Sequence, residues 1–561
     1  MQPSRLVPEG VSWEMHMDLI IRDALIHDGS GAPARRGDVG VRAGRIVHIG
    51  DLTDIDAAEI VDAAGLALAP GFIDMHSHSD WVLPQPHHGQ VLAPLLEQGI
   101  TTIVGGNCGS SPAPILPGRE GRVRNVGRML HDEALDYGWT DMASFLGLLE
   151  RQGVAVNLAQ LVGHGTIKSG VMDRVDEGAA PEQVAAMTDA VREALDGGAI
   201  GLSTGLGYAP GVFSDTDELV AVSEPLKERG GLYTSHARSY VAVVPRDDTG
   251  GTPSNIRALD ETAAVHRAHG VKVQHSHMIF VGDATWPTTD AALEHLDRLA
   301  EDVDIACDAF PYVGGNTTLV VFMPPWSLTR LSEAVTDPDL RAKARVSLER
   351  QQATFGMCWD DTQIMWVPDR SKARYEGMTV AEIAAERGEN ATETYLDLIA
   401  ELGGRTRIIN WNYSGRDDEE ASLRKVLKHP RTCFETDTIL TGQGFDNPAS
   451  YGTFPRILGR YVRELGLLGL EEAIHRMTGM SAERMNIADR GRIEEGMAAD
   501  LVLFDPETIG DNTTRKAPDR SPSGIELVVL NGTVVVRGGR FDVHSRAGSV
   551  LRLQQGRVLA G

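Results

Sequence analysis

Eight short apolar runs between about residues 67 and 440, separated by helical windows, set the tightest limit on what this chain folds into. They are LALAPGFIDMHSH, TTIVGGN, VNLAQLVGHG, AIGLSTGL, LYTSHAR, VKVQHSHM, DIACDAFPY and RTCFETD. Between them lie stretches with apolar residues at helical spacing, such as 181–196 (PEQVAAMTDAVREALD) and 257–269 (RALDETAAVHRAH). Parallel neighbours need a crossover long enough for a helix, so this alternation predicts a parallel sheet. Eight units close on themselves, which gives an α/β fold: a (β/α)8 TIM-like barrel with its chemistry at the carboxyl ends of the strands.

The two ends of the chain have another texture. Residues 17–66 read as short β segments broken by Gly and Asp turns, and ADLVLFDPETI, GIELVVLNGTVVVRGGRF and VLRLQQGRVLAG repeat that pattern at the far end. The expected division is a tail over 1–16, a small β-sandwich from 17–66 plus 490–561, and a barrel over 67–489. The connection over 319–430, between the seventh and eighth strands, reads as an insertion covering the mouth.

Charge and cysteine content bound the partners. Lys and Arg total 53 against 79 Asp and Glu, a net charge of -26, which argues against nucleic acid. No run approaches the ~18 apolar residues of a spanning helix, so no membrane partner is expected. The four cysteines (Cys108, Cys307, Cys358, Cys433) are too few for a disulfide framework, and MQPSRLVPEG has no apolar core of a leader. A cytoplasmic enzyme with a small-molecule substrate follows, its state open between monomer and homo-oligomer.

Metal-compatible side chains gather at predicted strand ends. His76 and His78 stand two apart after the first strand, so a period of two turns both imidazoles to one face. Cys108 follows the second strand between glycines that let backbone approach a ligand closely. His236 ends the fifth strand, His275 and His277 compete at the sixth, and Asp437 ends the eighth. Each alone reads as structural, a core histidine or a turn carboxylate. Ligands at five strand ends of one barrel read as a metal centre.

The strings APGFIDMHSHSD, QGITTIVGGNCGSSPAP, GAIGLSTGLGYAPG, CDAFPY, YGTFPRILGRYVRE and ADRGRIEEGMAADLVLFDP resemble the N-acyl-D-amino-acid deacylase (D-aminoacylase) group of the amidohydrolase superfamily over about residues 17–540. The resemblance implies Zn2+ held tightly by Cys108, His236 and His277. It also implies a second, weaker site formed by His76, His78, Cys108 and Asp437. Amide hydrolysis by metal-activated hydroxide follows, with Asp437 as general base and then general acid. Tyr208, in STGLGY, resembles a substrate-binding tyrosine of the group and Tyr312, in CDAFPY, is a second candidate; aromatic packing at the rim is the other reading of both. The fourth strand carries no lysine, which disfavours a carboxylated-lysine bridge of the hydantoinase type.

Two positions depart from that group. Its sixth strand carries a carboxylate-binding lysine where this chain has Ile279, and its HPR arginine is Ala449 here. An unpaired buried carboxylate costs several kcal/mol, so the expected substrate is neutral at that point. Arg238, Lys168 and His275 are the cations that would rescue a carboxylate, which keeps a conventional N-acyl-D-amino-acid deacylase as the alternative. The segment 239–254 is long beside the mouth and is expected to reshape the pocket. A non-catalytic scaffold is the rival of another class, but it would be expected to shed metal ligands that are all retained.

Overall fold

The computed structural model describes residues 16–131, 135–242, 251–416 and 419–560. Apart from His16, the expected tail lies outside them, as do residues 243–250 of the segment beside the mouth. Eight strands carry the centre of the molecule. They are β1 (Phe72–Asp74), β2 (Ile100–Gly105), β3 (Asn157–Gly163), β4 (Gly201–Gly205), β5 (Leu232–His236), β6 (Val273–His275), β7 (Ile305–Ala309) and β8 (Thr432–Phe434). Each pairs in parallel with the next. The seam from β8 back to β1 forms just past the strand ends, where Ser77 bridges Thr438 and the His78 N–H donates to the Thr438 carbonyl at 3.1 Å. The barrel is nearly closed, as the alternation predicts.

Local sequence explains the layers. β2, β3 and β7 are buried at every position, because helices cover the outside and side chains fill the inside. Helix Pro181–Asp196 starts on a proline and stops at Gly197. It buries Met187, Val191, Ala194 and Leu195, one stripe at helical spacing.

Both chain ends build one nine-stranded sheet, joined where Ala67–Pro70 pairs antiparallel with Leu501–Phe504. Two expectations shift here. Ala67–Pro70, read as the start of the first barrel strand, belongs to this sheet; the chain crosses to β1 at Gly71, where a Cβ would stand 2.1 Å from the Thr101 hydroxyl. The last hairpin, Val550–Gln554 with Arg557–Ala560, leaves the terminal sheet and extends the barrel by pairing Val550 with Leu158 of β3.

The long connection has a body of its own. Gly315–Thr318, Thr362–Trp366 and Arg407–Asn410 form an antiparallel sheet, packed by Leu319, Phe322, Ile383, Tyr395 and Ile399 into a separate core. Its first strand starts slightly before the expected boundary at 319.

A buried polar joint ties the sheet to the barrel. Asp500 accepts hydrogen bonds from Arg490 Nη1 (2.5 Å), Asn157 Nδ2 of β3 (2.8 Å) and the Asn531 N–H (2.6 Å). Asp500→Ala strips a buried guanidinium of one partner while Asp489 remains, and is expected to cost about 3 kcal/mol. A denaturant midpoint that does not move would refute this account of the joint.

Candidate metal centre

Ligand-type side chains from five strand ends meet in one space at the carboxyl-terminal face of the barrel. Cys108 Sγ lies 3.1 Å from His76 Nε2, 3.5 Å from His236 Nδ1 and 3.6 Å from His277 Nε2, and the last two nitrogens are 3.0 Å apart. Asp437 Oδ1 stands 3.7 Å from His76 Nε2 and 3.5 Å from His78 Nε2. Two overlapping donor sets result, His76–Cys108–His277 and His76–His78–Asp437. Bonds of ~2.0 Å to nitrogen and ~2.3 Å to sulfur place neighbours in a tetrahedral shell about 3.3–3.5 Å apart, so these spacings suit a shared ion.

Electrostatics also fits the donor set. Burial, then the neighbouring imidazoles, holds His76 well below the usual histidine range. His236 and His277 are pushed down to about 3, again mainly by burial. These rings are therefore neutral near pH 7 and keep a lone pair. Burial and the Asp437 carboxylate push the Cys108 thiol up, so a thiolate here needs a cation beside it. Imidazole plus thiolate suits zinc better than the hard, oxygen-seeking cations.

Three of these ligands sit in left-handed backbone: Cys108 (φ 55°), His277 (φ 31°) and Asp437 (φ 47°). Such conformations cost about 1–3 kcal/mol each and persist only where neighbours enforce them. The Asp437 N–H donates to the His76 carbonyl at 3.0 Å, and Asn316 Nδ2 donates to the Asp437 carbonyl at 3.1 Å. Asn447 in turn holds the Asn316 amide oxygen at 3.0 Å. Beside Cys108, a Cβ on Gly109 would stand 2.7 Å from the Gly205 amide nitrogen, so the loop packs as only glycine allows.

The other expected site residues divide. Tyr208, 39% exposed, donates to the Cys108 carbonyl at 2.8 Å and sets its ring 4.8 Å from that of His236. Ile279 and Ala449 meet in one apolar cluster with Phe310 and Tyr312, flanked by Tyr240, Val281 and Tyr413. Tyr312 donates to Asp511 at 2.9 Å beneath the Arg456 guanidinium. Arg238 bonds instead to Glu261 (2.8 Å) and to the carbonyls of Val212 and Ser214. Lys168 is buried against Glu218 and Ser214. His275 faces the helix layer, 3.3 Å from the Thr262 hydroxyl, because β6 ends there and the left-handed turn at His277 redirects only the second imidazole.

Sequence reasoning missed Asp74, Asp308, Asn316 and Tyr240. The Tyr240 ring lies 5.1 Å from His236 and 5.0 Å from His277, joining the apolar cluster to the candidate ligands. Asp74 accepts from the His76 N–H (3.3 Å) and the Thr436 N–H (2.9 Å), linking β1 to β8. Asp308 was legible as the last polar residue of the seventh strand in CDAFPY. Asn316 comes from the insertion and carries no local signal.

Residues 59–536 match the model of the amidohydrolase family. The chain belongs to that family. This amidohydrolase is 34% identical over 534 residues to D-aminoacylase of Alcaligenes xylosoxydans xylosoxydans, covering 95% of this chain and 97% of the relative. It is 35% identical over 543 residues to N-acyl-D-glutamate deacylase of the same organism, covering 96% of each. A crystal structure of D-aminoacylase superposes with a TM-score of 0.78 at 31% identity over 96% of this chain and 100% of that one. N-acyl-D-glutamate deacylase of Bordetella bronchiseptica, complexed with zinc and a phosphonate inhibitor, gives 0.77 at 32% identity over the same shares. As a member of this group the amidohydrolase is a hydrolase of carbon–nitrogen bonds other than peptide bonds. Among the described residues no helix is long and apolar enough to cross a membrane.

Proposed function

We propose that this amidohydrolase uses zinc to cleave the amide of a small N-acyl compound whose leaving group is neutral where a deacylase of this group meets a carboxylate. One observation carries the reading: Ile279 and Ala449, the positions of the missing cations, pack into one apolar wall that Tyr240 joins to the metal ligands. The cations that would compensate are committed elsewhere, Lys168 to Glu218, Arg238 to Glu261, and His275 to Thr262. A substrate carboxylate against this wall would lose its hydration without gaining a partner.

Cys108, His236 and His277 would hold the tight ion, and His76, His78, Cys108 and Asp437 would form the weaker second site. The chemistry an ion there would supply is a water acidic enough to give hydroxide near neutral pH, and polarisation of the amide carbonyl. Asp437 is within reach of both His76 and His78, takes the proton of the attacking water and returns it to the leaving nitrogen. Tyr208, half-exposed beside His236, binds the substrate at the rim.

The test is an assay of zinc-loaded protein on matched pairs, N-acetyl-D-amino acids against their carboxamides, with Cys108→Ala as the control for contaminating hydrolase. Higher kcat/KM on the carboxamides is the expected result. Preference for the free acids would instead support a conventional N-acyl-D-amino-acid deacylase, the activity its relatives are named for.

A further inference from the structure

Beside His76 lies a buried carboxylate pair, Asp308 and Glu435, that the mechanism above does not use. Among the described residues His76 Nδ1 has no hydrogen-bond partner, and neither does either carboxylate oxygen of Glu435; all three atoms are sealed from solvent. His76, Asp308 and Glu435 bring ligand-type atoms within 4.8 Å of one another, with His76 Nδ1 3.9 Å from Asp308 Oδ1. The same Asp308 Oδ1 accepts the backbone N–H of His277 at 2.6 Å, and Asp308 Oδ2 accepts from Gln274 Nε2 at 2.8 Å. The Asp308 carbonyl takes the next N–H, that of Met278, at 2.7 Å.

We infer that Asp308 is a positioning residue for two metal ligands at once, His76 through the proton on its Nδ1 and His277 through its backbone N–H. The inference rests on the metal reading above. Its logic is tautomeric. His76 Nε2 points at Cys108 and Asp437, so when that nitrogen offers its lone pair the ring proton sits on Nδ1. A buried N–H needs an acceptor, and the nearby carboxylates are the groups that provide one. A carboxylate behind a ligating histidine fixes the ring and raises its basicity. At His277 the same carboxylate secures a left-handed turn that a β6 extension in ordinary strand geometry would not make. Glu435, the other member of the pair, makes no hydrogen bond to His277 among the described residues, so the two carboxylates are separable by substitution.

Metal affinity tests this more directly than turnover. Zinc dissociation constants from chelator competition, and the absorption of the cobalt-substituted protein, are measured for wild type, Asp308→Asn, Asp308→Ala and Glu435→Gln. Asp308→Asn and Asp308→Ala are expected to weaken zinc binding by about 10–100-fold and to alter the cobalt spectrum. The thermal midpoint of each metal-free variant separates misfolding from loss of positioning. Wild-type affinity and spectrum in a folded Asp308→Asn protein would overturn the inference, as would a loss confined to Glu435→Gln. Failure of wild type itself to bind zinc would overturn the metal reading instead.

Discussion

Asp437→Asn protein is expected to retain its zinc and lose kcat by ~10²–10⁴-fold, the range that a positioned acid–base group supplies. Asparagine keeps the size of the side chain and one oxygen toward His76 and His78, which Asp437 Oδ1 meets at 3.7 and 3.5 Å. It also keeps the left-handed backbone, since asparagine tolerates that region well. What disappears is the capacity to accept a proton. The loss should therefore fall on kcat, with KM little changed and metal content by elemental analysis near that of wild type. Turnover within a few-fold of wild type would remove Asp437 from proton transfer. Loss of the tightly held ion in parallel with activity would mean instead that Asp437 is needed to hold that ion.

That prediction draws on a residue the sequence already singled out, and the reason is geometric. The barrel was legible because strand and helix alternate with unlike periodicities, and its strand ends name the mouth without further information. His76, His78, Cys108, His236 and Asp437 all follow apolar runs directly, so their convergence could be read from order alone. What failed was parity. His275 and His277 are equivalent at a period of two, yet the strand stops at His275 and a left-handed residue sends the chain elsewhere. A positive φ at a histidine leaves no mark in composition.

Long-range contacts were the second blind spot. Asn316 holds the Asp437 carbonyl from a strand more than a hundred residues earlier in the chain, and Asp511 of the terminal sheet region orients Tyr312. The terminal hairpin shows the same limit: its alternation identifies it as β, but nothing in it says whether Val550 pairs with the end sheet or with Leu158 of the barrel. Partner choice is a property of the assembled surfaces, whereas element type is local.

Restoring the two cations should reverse the substrate preference. Ile279→Lys with Ala449→Arg is expected to raise kcat/KM on N-acetyl-D-amino acids, relative to their carboxamides, by about 30-fold to 5 × 10³-fold. That is the span of ~2–5 kcal/mol seen when a buried charge gains or loses its partner. The cost is borne by the free protein. Ile279 and Ala449 are 9% and 0% exposed among Phe310 and Tyr312, so two cations there are desolvated and repel each other until a carboxylate arrives. The variant should therefore melt below wild type and recover when an N-acyl-D-amino acid is added, because a ligand that binds only the folded state stabilises it. Ile279→Lys alone, closer in length to the residue it replaces, should give part of the switch at a smaller stability cost. A folded, zinc-loaded double variant whose preference is unchanged would mean that the leaving group does not lie against this wall. The neutral-substrate reading would then lose the observation that carries it.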